Sequence, residues 1–152
     1  MTPLPLDKKT MKTLNKLFTL ARKKNPDNPH VKINNSDVFM PVSIELVGTS
    51  SSSFEILTGE VWAVAHYYEQ NGDLMADPDM TFVLNKAGQI IPLSFQQDCL
   101  GIYRESVVRD SSGAITAVIP SLIRDFKSFV KMWANNIVEQ QGLNERQNTA
   151  GE

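Results

Sequence analysis

The sequence predicts an α+β domain, an antiparallel sheet of about four to six strands packed by an amphipathic helix from each end of the chain. Three observations carry this. Apolar residues recur at three- and four-residue steps over residues 8–24 and again over 121–141, the spacing of a helix with one buried face. Between them, residues 41–119 alternate or run apolar in short stretches, as strands do. Those stretches are joined by short Gly-, Asn- and Asp-bearing turns, and strands so joined pair antiparallel. At 152 residues the chain is one domain, expected over 1–143, with a polar tail over 144–152 that frays.

Asp7 is placed to cap the first helix, with Pro5 just before it. Met11, Leu14, Leu17, Phe18 and Ala21 form its buried stripe, and Asn25-Pro26-Asp27-Asn28-Pro29 ends it, since proline cannot continue a helix. Val42, Ile44 and Leu46 alternate with polar residues as a half-buried strand, followed by a loop over Gly48–Ser53. Phe54–Glu69 is strand-like, with Gly59 a bulge or break. Its later part has two faces, Val61, Ala63, Ala65 and Tyr67 on one and Trp62, Val64, His66 and Tyr68 on the other. Asn71-Gly72 is a tight turn. Asp77-Pro78 is a break, after which Met80–Leu84 and Gln89–Phe95 form a hairpin around Lys86-Ala87-Gly88. Tyr103–Arg109 and Ala114–Ile119 form another around Asp110-Ser111-Ser112-Gly113. Pro120-Ser121 opens the last helix, whose stripe is Leu122, Phe126, Phe129, Val130, Trp133 and Ile137, and Gly142 ends it.

Composition narrows the function. The single cysteine, Cys99, excludes an internal disulfide and a cysteine-based zinc site. No apolar run is long enough to span a membrane and no signal-peptide pattern opens the chain, so a cytoplasmic protein with no membrane association is expected. The net charge of −2 conceals an asymmetry. Residues 1–24 carry Lys8, Lys9, Lys12, Lys16, Arg22, Lys23 and Lys24 against the one acid Asp7, so this segment is +6 and the remainder −8. Such a helix reaches an anionic partner such as nucleic acid, or is a solvated face that complements its own body. The second is the commoner arrangement.

The segment 66–80 is where a site is expected. Glu69, Asp73, Asp77 and Asp79 place four carboxylates within eleven residues, and hard cations take clustered oxygens. The spacing is not that of a helix-loop-helix calcium site, and aspartates in turns ordinarily bond their own backbone. No metal is assigned on this evidence. His66 is a candidate base, but strand alternation sets it opposite Glu69, which favours a structural histidine. Trp62, His66 and Tyr68 on one face would stack bases if exposed, or pack under a helix. Neither a nucleophile elbow nor a phosphate loop is present, and the setting of Cys99 does not indicate a reactive thiol. No cofactor is implied.

The run Ala65-His66-Tyr67-Tyr68-Glu69-Gln70-Asn71-Gly72-Asp73-Leu74-Met75-Ala76-Asp77-Pro78-Asp79-Met80 resembles a bacterial domain family of unknown function found in phages, plasmids and integrative elements. Tyr103 in Leu100–Glu105 and the helix end Trp133–Gln141 fit the same likeness, which covers roughly residues 40–141. The resemblance implies a mobile-element accessory protein. The leading expectation is a non-enzymatic protein-interaction domain that modulates or inhibits a host defence or DNA-processing factor. Its binding residues would be His66, Tyr68, Glu69, Asn71, Asp73, Asp77 and Asp79, and its partner a protein. The alternatives are a nucleic-acid-binding protein using the basic N-terminal helix and a divalent-metal enzyme at His66–Asp79.

Overall fold

The computed structural model describes residues 3–143; the tail expected over 144–152 lies outside them. Helix α1 spans Lys8–Lys24. Eight strands follow, β1 (His30–Ile33), β2 (Val42–Ser50), β3 (Gly59–Gln70), β4 (Asp73–Asn85), β5 (Ile90–Gln97), β6 (Ile102–Glu105), β7 (Val107–Arg109) and β8 (Ile115–Val118). Helix α2, Pro120–Gln141, follows β8. Strands β1 to β6 form one sheet in sequence order, all neighbours antiparallel, and β7–β8 form a separate two-stranded sheet. The α+β architecture read from the sequence is the architecture observed.

Both helices pack on the same side of the main sheet, here the inner face. From α1 come Leu14, Leu17, Phe18 and Ala21, and from α2 Phe126, Val130, Trp133 and Ile137. They meet Val42, Ile44, Trp62, Val64, Met80 and Phe82 of the sheet. Trp62, fully buried, stacks on Phe18 with ring centroids 4.6 Å apart. The Arg22 guanidinium lies 5.5 Å from the Trp62 ring centre and donates to both Glu60 oxygens at 2.8 and 2.6 Å.

The Asp7 carboxylate accepts from the Thr10 N–H at 3.1 Å and the Thr10 hydroxyl at 2.6 Å, which satisfies one of the open backbone N–H groups in the first turn of α1. Asp7→Ala is expected to lower stability by about 1 kcal/mol, measured by urea denaturation. Gly142, in the left-handed conformation with φ 65°, ends α2.

A second core lies on the outer face at one end of the sheet. Val83, Ile91 and Leu93 pack there with Leu57, Val107, Ile115 and Ile123. The β7–β8 hairpin and the 3-10 turn Glu55–Leu57 cover this half of the face.

Several boundaries differ from those the sequence predicts. Strand β2 continues to Ser50 through the expected loop, with a register shift between Leu46 and Gly48. The expected strand from Phe54 begins only at Gly59, after the 3-10 turn. The expected strand Tyr103–Arg109 is divided at Ser106. That residue is fully buried, donates its hydroxyl to the Pro92 carbonyl at 2.6 Å, and binds Leu93 and Ile119 through its backbone. There the chain passes from the main sheet to the hairpin. The break expected at Asp77-Pro78 is a register shift within one continuous strand. The segment 69–80 therefore carries the end of β3, the Asn71-Gly72 turn and the first part of β4.

Candidate functional site

Strand β2 pairs with β3 only as far as Val42↔His66, and β5 pairs with β4 only as far as Asp79↔Gln96. Beyond both, Tyr67–Gln70 and Asp73–Ala76 pair with each other and project as a two-stranded arm. Asn71 (φ 55°) and Gly72 (φ 85°) close it. Positive φ at both central residues is the turn whose twist matches a hairpin.

Four hydrogen bonds fix the base of the arm. The Tyr67 hydroxyl donates to Asp79 at 2.9 Å. The Gln97 side-chain amide donates to Asp77 at 2.9 Å. Asp98 accepts from the Ala76 N–H at 2.7 Å and from the Gln96 side chain at 2.8 Å. These bonds hold the Asp98 carboxyl below the usual carboxylate range. Burial pushes the Asp79 carboxyl up; its Tyr67 hydrogen bond opposes this, and the charges of Asp98 and Glu45 add to the rise. Burial also pushes the Tyr67 phenol up, with the Asp79 charge acting the same way.

The outer face beside the arm is open. A groove of about 410 Å³ runs over it, floored by Ala63 and Ala65 and walled by Tyr67, Tyr68, Glu69 and Leu74 on one side. Lys32, Pro41, Ser43 and Glu45 form the other side. The concavity follows from side-chain size, because two alanines sit between larger neighbours on one strand face. Leu74 is 64% exposed, and Glu45 and Glu69 are also exposed.

His66 points inward and is only 6% exposed. Its Nδ1 accepts from the Trp133 indole N–H at 3.3 Å, and the two rings meet edge-on with centroids 5.5 Å apart. In the neutral ring Nε2 then carries the proton, and this buried atom has no partner among the described residues. Burial pulls His66 below its ordinary pKa of 6.5, against a smaller upward pull from the Asp77 charge. A histidine held neutral stabilises the fold above its unfolded pKa, and that stability is lost as pH falls through the lower folded value. Melting temperature is expected to fall on acidification below about pH 6.5. The fall in this window is expected to be shallower in His66→Gln.

The sequence-marked residues therefore divide. Glu69, Asn71 and Asp73 lie exposed on the arm. Asp77 and Asp79 brace its base, and Tyr68 lines the groove. His66 lies under α2. Trp62, read as a stacking candidate, is buried beneath α1. No three His, Cys, Asp or Glu side chains among the described residues are gathered to hold a metal ion. Lys8, Lys9, Lys12, Lys16, Lys23 and Lys24 are exposed on α1, whereas Arg22 is engaged by Glu60 and Trp62. Sequence reasoning missed Lys32, Glu45, Leu74 and Asp98. The only trace of the groove in the sequence is the small-residue alternation of Ala63 and Ala65 ahead of Tyr67.

The model of a family described as Domain of unknown function (DUF6908) matches residues 9–143. The chain belongs to this family. The match takes in α1 from its second residue, all eight strands and α2, so the basic helix from Lys9 on is part of the DUF6908 domain along with the arm. No curated protein matches the chain, and no solved structure does. No helix among the described residues is long and apolar enough to cross a membrane.

Proposed function

We propose that this DUF6908 protein is an accessory protein of the kind carried by phages and plasmids. It acts in the cytoplasm by binding another protein, without catalysis, and thereby modulates a host defence or DNA-processing factor. The contact surface is the β3–β4 arm with the open half of the outer face. The observation that carries this reading is the arm itself. Its tip, Glu69–Leu74, is exposed throughout and lies beyond the last residues that pair with β2 and β5, and its base is braced by Tyr67–Asp79, Gln97–Asp77 and Asp98–Ala76. A braced, exposed projection beside a groove presents a preorganised surface, and preorganisation lowers the cost of association. The mobile-element context rests on the likeness of the arm sequence.

Tagged protein drawn through host lysate after nuclease treatment is expected to retain a protein partner. Leu74→Asp and Glu69→Lys, both at exposed positions, are expected to release it while leaving the melting temperature unchanged. Retention by both variants would remove the arm from the contact.

A second reading has its own support, the six exposed lysines of α1. If that surface binds nucleic acid, affinity falls steeply with salt, by about 0.9 log units per phosphate contact for each log unit of salt. Lys8→Glu with Lys12→Glu would then abolish it. Filter binding at several salt concentrations measures both, and salt-independent binding excludes this mode.

A further inference from the structure

Resting on the reading of the arm as a contact surface, we infer that the free edge of β3 at Tyr67–Gln70 is a strand-docking edge. Its occupant is an extended segment of a partner protein carrying lysine or arginine on alternate residues.

The backbone argument comes first. In a two-residue hairpin the flanking pair, here Gln70↔Asp73, exchanges both ladder bonds. Alternation then turns the N–H and C=O of Tyr67 and Glu69 away from β4, toward the side where β2 would continue. The next residue of that strand is Pro41, which has no N–H to give, and β2 begins at Val42. The preceding segment is drawn to α2 instead. Asn35 N–H donates to the Gln141 side chain at 2.7 Å, and Gln141 donates to the Met40 carbonyl at 3.1 Å. Tyr67–Gln70 thus pair on one side only among the described residues. At the level of Ala76 the opposite edge of the arm is closed, because Asp98 already occupies its N–H.

An unpaired strand edge next to a groove is the arrangement that binds extended peptides by strand addition. Main-chain bonds supply affinity, and the side chains of alternate residues enter the groove. Charge selects the occupant. Glu45 and Glu69 are exposed at the groove and Asp79 is half-buried nearby, whereas Lys32 is the one cation of the lining. Alternate cations opposite these acids are favourable, and acids there are repelled. The phosphates of a nucleic-acid strand are disfavoured for the same reason. A second copy of the chain would bring its own Glu45 and Glu69 against these.

The test pans a random-sequence peptide display library against the full chain. The enriched peptides are expected to carry lysine or arginine at every second position. Their affinity is expected to weaken at least about tenfold in the Glu45→Lys, Glu69→Lys double variant. Glu69→Pro, which removes an edge N–H without taking a bond from the β3–β4 ladder, is expected to do the same. Should the proline variant melt early, the double charge variant still decides, since both its positions are exposed. Peptides without the alternating cations, binding indifferent to the charge variant, or no enriched peptide would each overturn the inference. In those cases the wider reading still stands if Leu74→Asp releases the partner held from lysate, and falls if it does not.

Discussion

Trp62→Ala is expected to lower the unfolding free energy by about 3–5 kcal/mol, much of the roughly 5–15 kcal/mol that holds a domain of this size together. The indole is fully buried at the centre of the inner face. It stacks on Phe18 with only 11° between the ring planes, carries the Arg22 guanidinium over its ring, and donates to Glu60 at 3.3 Å. Truncation opens a cavity between α1 and the sheet and removes the platform that fixes Arg22. Trp62→Phe keeps the stack and most of the volume, so its loss is expected to be smaller. Urea denaturation measures both, and a loss below about 1 kcal/mol in the alanine variant would show that α1 contributes little to the core.

Gly59→Ala is the second large effect, and its cause is backbone, not burial. A Cβ at this position would lie 2.1 Å from the Leu84 carbonyl oxygen and 2.9 Å from the Asn85 Cα. Neither atom belongs to a flexible side chain, so β3 must move away from β4 where their pairing begins. A loss of about 3 kcal/mol is expected. Gly72→Ala is the control. Nothing lies within 4 Å of its Cβ, leaving only the strain of positive φ, about 1–2 kcal/mol. Equal losses in the two variants would show that the close approach at Gly59 relaxes freely.

Fold class was legible because the two periods, helical at the ends and alternating between, are strong and separate. The turn at Asn71-Gly72 and the caps Asp7 and Gly142 were legible because each rests on local chemistry. Strand β1 was missed because four residues, His30–Ile33, are too few to establish a period. Asp77-Pro78 was read as a break ahead of a strand from Met80, since proline cannot donate to a ladder; the register shift at that point lets β4 run through it from Asp73. Ser106 gave no local sign of division, because its role is to bond Pro92, Leu93 and Ile119, partners distant in sequence. The aromatic face Trp62, His66 was legible as a face, and its burial followed from both helices packing on one side. The groove was not legible, since it depends on which half of the outer face the β7–β8 hairpin covers.

The arm gathers most of the distinctive run 65–80 into one projection, and the lysines of α1 lie on the helix layer, on the other side of the sheet. That separation makes the two readings independently mutable. The most direct measurement of the central claim is the affinity of the nuclease-resistant partner for two variants of the full chain, one carrying Glu69→Lys and Leu74→Asp, the other Lys8→Glu and Lys12→Glu. The account predicts that the arm variant loses at least about tenfold in affinity and the helix variant retains it. Loss confined to the helix variant would contradict the account and move the contact to α1.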